Sequence, residues 1–142
     1  MESKQTPEPS GASAPLAEVD ALPVACNRAL IVGELVTEPD WRTLPGGTEI
    51  FAFGLTVRQA DAQTTSVPLI WYDPPRRVRQ WKLGMRIAAT GPVVRRFYRA
   101  GGVTASRTEV TVEQAEVVSR AGARRVIDRT AAEVEICAKA LE

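Results

Sequence analysis

The sequence has no histidine among its 142 residues and only two cysteines. Histidine is the commonest general base and the commonest zinc ligand, so its absence argues against acid–base catalysis and against a metal centre. Cys26 and Cys137 are too far apart in sequence for a metal-ligand or redox spacing, and we expect both to be buried. The sequence therefore predicts a protein that is not an enzyme and that holds neither a metal nor a cofactor.

Long apolar runs are also missing. No segment approaches the roughly 20 apolar residues that a membrane-spanning helix needs, and residues 1–10 are charged and polar, unlike a secretory signal. Hydrophobic residues make up 44% of the chain and charged residues 25%, as is typical of a globular protein with one domain. These features predict a cytoplasmic protein without membrane contact.

The formal net charge is only +1, but the charges are unevenly distributed. Residues 74–108 contain nine basic side chains and no acidic one. These are Arg76, Arg77, Arg79, Lys82, Arg86, Arg95, Arg96, Arg99 and Arg107. A long stretch of one sign favours a polyanionic partner such as nucleic acid.

Changes in composition and periodicity divide the chain into three segments. Residues 1–24 are rich in Pro, Ser, Ala and Glu without a helical or strand period, which predicts a disordered tail. Residues 25–119 are predicted to form the folded domain. Residues 120–142 are predicted to form a C-terminal amphipathic helix.

Within 25–119 five segments are predicted to be strands, either from apolar runs bounded by turn residues or from the period of two that is typical of strands. Phe51, Phe53 and Leu55 alternate with smaller or polar neighbours in the clearest example. The predicted strands are 29–35 with a continuation through 41–44, then 51–57, 64–72, 86–98 and 103–118. Pro74-Pro75 opens a short helix between the third and fourth strands. This order predicts an all-β domain, a five-stranded OB-fold barrel.

The C-terminal segment shows a heptad-like pattern. Ile127, Ala131, Val134, Ala138 and Leu141 follow one another at spacings of 4, 3, 4 and 3 residues. This pattern predicts an amphipathic helix whose apolar side either docks on the barrel or contacts another copy of the chain.

Part of the sequence resembles the bacterial single-stranded-DNA-binding protein family, SSB. The segment 27–35, NRALIVGEL, followed by Pro39, Arg42 and Pro45-Gly46-Gly47, is similar to the first strand and turn of that family. The similarity continues more weakly through 81–87 and 91–98, so that it covers roughly residues 27–118.

The resemblance implies an OB fold, sequence-tolerant binding of single-stranded DNA, and assembly into a dimer or tetramer. It also implies that Tyr98 and Tyr72 stack on bases, because they match stacking aromatics of the family. The chain departs from the family at Ser66, where a stacking Trp is frequent, and in the short link 59–63. The C-terminal helix stands in place of the family's acidic C-terminal tip.

Other binding residues follow from the physics of single-strand recognition, which combines aromatic stacking with phosphate contacts. The candidates beside Tyr98 and Tyr72 are Arg95, Arg96, Arg99, Arg107, Arg28, Arg42, Arg58 and Trp41. Trp41 is either a stacking platform or an anchor at a bend. Trp71 and Trp81 are assigned to the core, and Glu109, Glu113 and Glu116 to a solvated strand face.

Together these features predict a nucleoid-associated protein that binds single-stranded DNA in replication, recombination or repair and has possible partners among the proteins of those processes. RNA is an alternative ligand. The competing hypothesis is an OB-fold adaptor that binds proteins, as in a replication-restart or polymerase-associated subunit, with little or no nucleic-acid binding.

Overall fold

A computed structural model describes residues 25–61 and 63–142. The predicted disordered tail, 1–24, lies outside these residues. The described chain contains eight strands, a short 3-10 helix at Arg76–Gln80 and one α-helix, α1, at Gly122–Ala140. The strands are β1 Ala29–Leu35, β2 Asp40–Thr43, β3 Glu49–Val57, β4 Thr65–Tyr72, β5 Arg86–Gly91, β6 Val93–Ala100, β7 Val103–Thr111 and β8 Gln114–Val117. None of the described helices is long and apolar enough to cross a membrane.

The strands form one mixed sheet in the order β6-β7-β4-β3-β1-β5-β8, with β2 paired to β3. Only the β4–β7 pair is parallel. Within the described residues the hydrogen-bonded path runs from β6 to β8, so the prediction of a closed five-stranded barrel was wrong. The architecture, a sheet with one C-terminal helix, is consistent with an OB-like fold.

Three of the five predicted strands are interrupted, which explains the larger number. The first breaks after Leu35, ahead of Pro39, and the last breaks at 112–113. Pro92 separates β5 from β6 because proline has no amide hydrogen to donate to a ladder. β4 accommodates Pro68, which has no amide hydrogen, because β4 pairs with β7 only from Leu69 onward.

The core contains the side chains that the alternating patterns place on one face. Phe51, Phe53 and Leu55 of β3 are buried, as are Leu69 and the predicted core residue Trp71 of β4. The rings of Phe51 and Phe53 lie 5.7 and 5.6 Å from that of Trp81, the other tryptophan assigned to the core. The strand periodicity therefore identified the inward face correctly.

Helix α1 docks on the sheet through a stripe that the heptad pattern did not identify. Ala123 and Val126 are buried against Ala88 of β5. The Thr130 hydroxyl donates a hydrogen bond of 2.7 Å to the Thr90 hydroxyl, which in turn donates to the carbonyl of Ala29. The predicted apolar series Ile127, Ala131, Val134, Ala138 and Leu141, here called the helix seam, is exposed.

Ion pairs fix the same helix to the sheet. Arg28, in the segment before β1, lies 2.9 Å from Glu113 and 2.6 Å from Glu133 of α1. Arg129 also contacts both carboxylates, at 3.0 and 3.2 Å. Cys137 is half-buried near this segment, whereas Cys26 is exposed, so the prediction that both cysteines are buried was wrong.

Candidate nucleic-acid interface

A groove runs along the outward faces of β3 and β4, opposite the core. Because side chains alternate along a strand, the cross-strand pair Gly54 and Pro68 faces outward, next to the buried pair Phe53 and Leu69. The groove has a volume of about 450 Å³. Its outward floor consists of the half-buried residues Ala52, Gly54 and Pro68, with the buried Ile70 at one end. These small or apolar residues form a surface on which a flat ligand can rest.

Arginines from three strands line the groove. Arg42 lies on β2, Arg96 on β6 and Arg107 on β7. The β6–β7 register places Arg96 directly opposite Arg107, so both side chains project from the same face of the hairpin. Arg42 forms a 3.1 Å pair with Asp40, but both side chains are more than half exposed. Such an exposed pair is weak, and the guanidinium can exchange it for a phosphate.

Glu109 is buried beneath two of these arginines. Its side chain is only 4% exposed, and its Oε2 accepts a 3.0 Å hydrogen bond from Arg96 Nε. Arg96 Nη2 lies 3.4 Å from Oε1, and Arg107 Nε lies 3.7 Å from the same oxygen. Glu109 thus holds the Arg96 guanidinium by two of its nitrogens, and Nη1 has no hydrogen-bond acceptor among the described residues.

One aromatic ring lies close to Arg96. Tyr98 is on the same face of β6, with its ring centre 6.0 Å from the Arg96 guanidinium carbon. The hydrogen bond to Glu109 raises the pKa of Arg96, and nearby Tyr72 and Tyr98 contribute in the same direction. Each tyrosine is 42% exposed, so part of each ring is available to a ligand. The structure therefore brings a cation together with the accessible ring of Tyr98, and Tyr72 ends β4 on its outward side.

Arg95 and Arg99 do not share this face. They alternate with Arg96 and Tyr98 along β6 and therefore project from the opposite side of the β6–β7 hairpin. Arg99 Nη2 lies 3.4 Å from the carbonyl of Gly102 in the turn. The four predicted binding residues of β6 are thus divided between two surfaces.

The remaining predicted site residues occupy different surroundings. Arg28 lies outside the groove, in the ion pairs with α1, and its side chain is only 11% exposed. Arg58 is exposed immediately after the end of β3. Trp41 packs edge-on against Phe51, with centroids 5.1 Å apart, and Arg79 covers its ring at 4.0 Å. This packing agrees with the interpretation of Trp41 as an anchor.

The sequence matches no family model and no curated protein. Among solved structures, the chain is similar to that of Plasmodium falciparum SSB in complex with ssDNA. The TM-score is 0.54 and the sequence identity 19%, over 66% of this chain and 93% of that one. At this identity the likeness shows the fold alone. The OB-like architecture is therefore supported, whereas the resemblance to the bacterial family stays a prediction.

Sequence reasoning missed Glu109, which was assigned to a solvated strand face. The hairpin turn contained the signal that could have found it. If Ala100 and Val103 flank the turn, counting back along both strands places Arg96 opposite Arg107. Glu109 is two residues after Arg107 and therefore lies on the same face, as the structure shows. Glu113 and Glu116 also form ion pairs, with Arg28 and Arg77 respectively. The described residues contain no group of three His, Cys, Asp or Glu side chains able to hold a metal.

Proposed function

We propose that the protein binds single-stranded DNA with little sequence preference and carries out no chemistry on it. The observation that carries this proposal is the convergence of Arg96, Arg107 and the exposed ring of Tyr98 beside an apolar groove. Aromatic rings stack on any base, and arginines neutralise phosphates, so this combination recognises a single strand independently of its sequence. The similar Plasmodium falciparum structure is a complex with ssDNA, which supports the same conclusion.

The arginines that line the groove make the proposal testable through salt. Each phosphate neutralised on a single strand contributes about 0.7 to the slope of log affinity against log salt concentration. We expect fluorescence anisotropy with labelled oligo-dT to show binding that weakens steeply as salt increases. Oligo-rU in the same assay measures the preference between DNA and RNA. Failure to bind either oligonucleotide at low salt would refute the proposal and favour the protein-binding adaptor.

Tyr98 tests the stacking half of this mechanism. Replacing Tyr98 with Ala should cost about 1 to 3 kcal/mol of binding free energy for every base composition, because one stacked ring is lost. The salt slope should stay unchanged, since no phosphate contact is removed. Tyr98→Phe keeps the ring and should bind like wild type. Arg76→Ala, on the exposed 3-10 helix, is the control for a distant cation.

Assembly is a separate part of the proposal: the helix seam pairs with the seam of a second copy in antiparallel orientation. Ile127, Val134 and Leu141 are 39, 48 and 74% exposed, although they are spaced as in a helix pair. The first half of α1 carries three arginines and one aspartate, and residues 131–142 carry three glutamates and one lysine. An antiparallel partner therefore places opposite charges alongside one another.

Light scattering of the full chain tests this pairing. Val134→Lys places a charge in the seam and should reduce the mass from a dimer or larger assembly toward the monomer. Ile136→Lys is the matched control, because residue 136 is 68% exposed on the side of α1 away from the seam. A wild-type monomer, or an equal effect of both substitutions, would contradict the seam as the contact.

The cellular role follows from these properties. A sequence-tolerant binder of single strands is suited to replication, recombination or repair, where such strands are exposed, and we propose a role in those processes beside their proteins. The cytoplasmic, nucleoid-associated location stays a prediction.

A further inference from the structure

The side of the β6–β7 hairpin turned away from the groove, here called the reverse face, carries an exposed aromatic residue. Phe97 is 67% exposed, and Arg95 and Arg99 lie two residues before and after it on the same side of β6. Its partner across the hairpin is Ser106. The neighbouring partners are Thr108, opposite Arg95, and Thr104, opposite Arg99. An aromatic ring is thus flanked by two cations on a surface of hydroxyl side chains.

The position of the hairpin explains why this ring is uncovered. β7 pairs with β4 only at Val110 and Thr111, so only the base of the hairpin is hydrogen-bonded to β4. Phe97 lies well beyond that base, opposite Ser106, and is not among the residues packed against the core. Exposing a phenylalanine to water gives up the stabilisation that its burial would provide. The fold itself gives no reason for an aromatic residue at this position.

The charges of the reverse face identify the kind of partner. Neither Arg95 nor Arg99 forms an ion pair with another described residue. No acidic residue of β6 or β7 lies on this face, whereas on the groove face Arg96 and Arg107 share Glu109. The reverse face therefore combines uncompensated positive charge with a ring that can stack. A polyanion with planar rings satisfies both features.

We propose that Phe97, Arg95 and Arg99 form a second contact site for single-stranded nucleic acid, in which a base stacks on Phe97 and phosphates contact the arginines. This inference rests on the proposed function, because the nucleic-acid strand that reaches the reverse face also occupies the groove. Phe97 and Tyr98 are adjacent in β6 and project to opposite sides. A nucleic-acid strand that leaves the groove passes over the edge strand β6 and continues on the reverse face.

Oligonucleotide length distinguishes the two contact sites. We would titrate the full chain with oligo-dT from about 6 to about 20 nucleotides, a range that spans the site sizes of OB folds. Phe97→Ala should weaken binding of the longest oligonucleotide about 5- to 150-fold, as expected for one stacked base, and leave binding of the shortest unaffected. Tyr98→Ala should weaken binding at every length. Phe97→Leu, which stays apolar but cannot stack, should behave like Phe97→Ala.

Thr104→Ala is the matched control, because Thr104 is exposed on the same reverse face, opposite Arg99, but is not aromatic. It should bind every length like wild type. If wild type binds but Phe97→Ala matches it at all lengths, the second site is refuted while the proposed function stands. If wild type binds no oligonucleotide, both fail. If Phe97→Ala lowers the mass in light scattering with unchanged affinity, the reverse face contacts protein and the inference is overturned.

Discussion

Replacing Arg96 with Ala should lower both folding stability and DNA binding, because the same side chain faces the groove and covers a buried carboxylate. Without Arg96, the nearest cation to Glu109 is Arg107, whose Nε is 3.7 Å from Oε1 and beyond hydrogen-bonding distance. Leaving a buried acceptor unsatisfied costs about 1 to 3 kcal/mol. Arg96 is itself 42% exposed, so water reaches the carboxylate once it is removed and the lower half of this range applies.

Thermal unfolding measures this loss as a decrease in Tm of about 3 to 12 °C for a domain of this size. Arg107→Ala, which removes the longer and more exposed contact, should cost less than about 1 kcal/mol. The double substitution Arg96→Ala with Glu109→Gln should recover part of the stability, since a neutral amide is easier to bury than a carboxylate. An unchanged Tm for Arg96→Ala would refute the claim that Glu109 depends on this pair.

The binding effect is measured separately, well below the unfolding temperature. Loss of Arg96 should lower the affinity for oligo-dT and flatten the salt slope by about 0.7, the contribution of one phosphate contact. The double substitution should not recover this loss, because it restores no cation to the groove. Recovery of affinity in the double variant would show that Arg96 affects binding only through stability.

Three further outcomes follow from particular contacts. Arg28→Ala should lower stability by about 1 kcal/mol in thermal unfolding, because Glu113 and Glu133 are partly exposed and both keep Arg129 as a partner, and it should not change oligo-dT affinity. Gly91→Ala should destabilise by about 1 to 3 kcal/mol or more, since its β-carbon would collide with the carbonyl of Thr111, whereas Gly54→Ala, whose nearest neighbour is 3.8 Å away, should show no such clash. A hydrogen bond to Cys26 raises the pKa of the Cys137 thiol, so iodoacetamide should modify Cys26 first near neutral pH, and mass spectrometry would detect the reverse order.

Local periodicity was sufficient to predict most of the strands and their inward faces. Side chains alternate along a strand whatever surrounds it, so Phe53 and Leu69 could be assigned to the core from their neighbours alone. The turn at Gly101-Gly102 likewise determines which residues of β6 and β7 lie opposite each other. Pro92 carried a local signal of its own, because a residue without an amide hydrogen interrupts a ladder in any context.

Contacts between distant segments required the tertiary structure. The burial of Glu109 depends on β4 pairing beside β7, and the ion pairs of Arg28 depend on where α1 packs. The heptad pattern selected the largest apolar side chains of α1, but the helix docks through Ala123, Val126 and Thr130 instead. Small side chains on α1 allow the helix to approach Ala88 of β5 closely. A hydrophobic period shows which residues are apolar, but it contains no information about the shape of the surface on which the helix packs. The sequence determined that α1 is amphipathic, and packing on the sheet decided which side is buried.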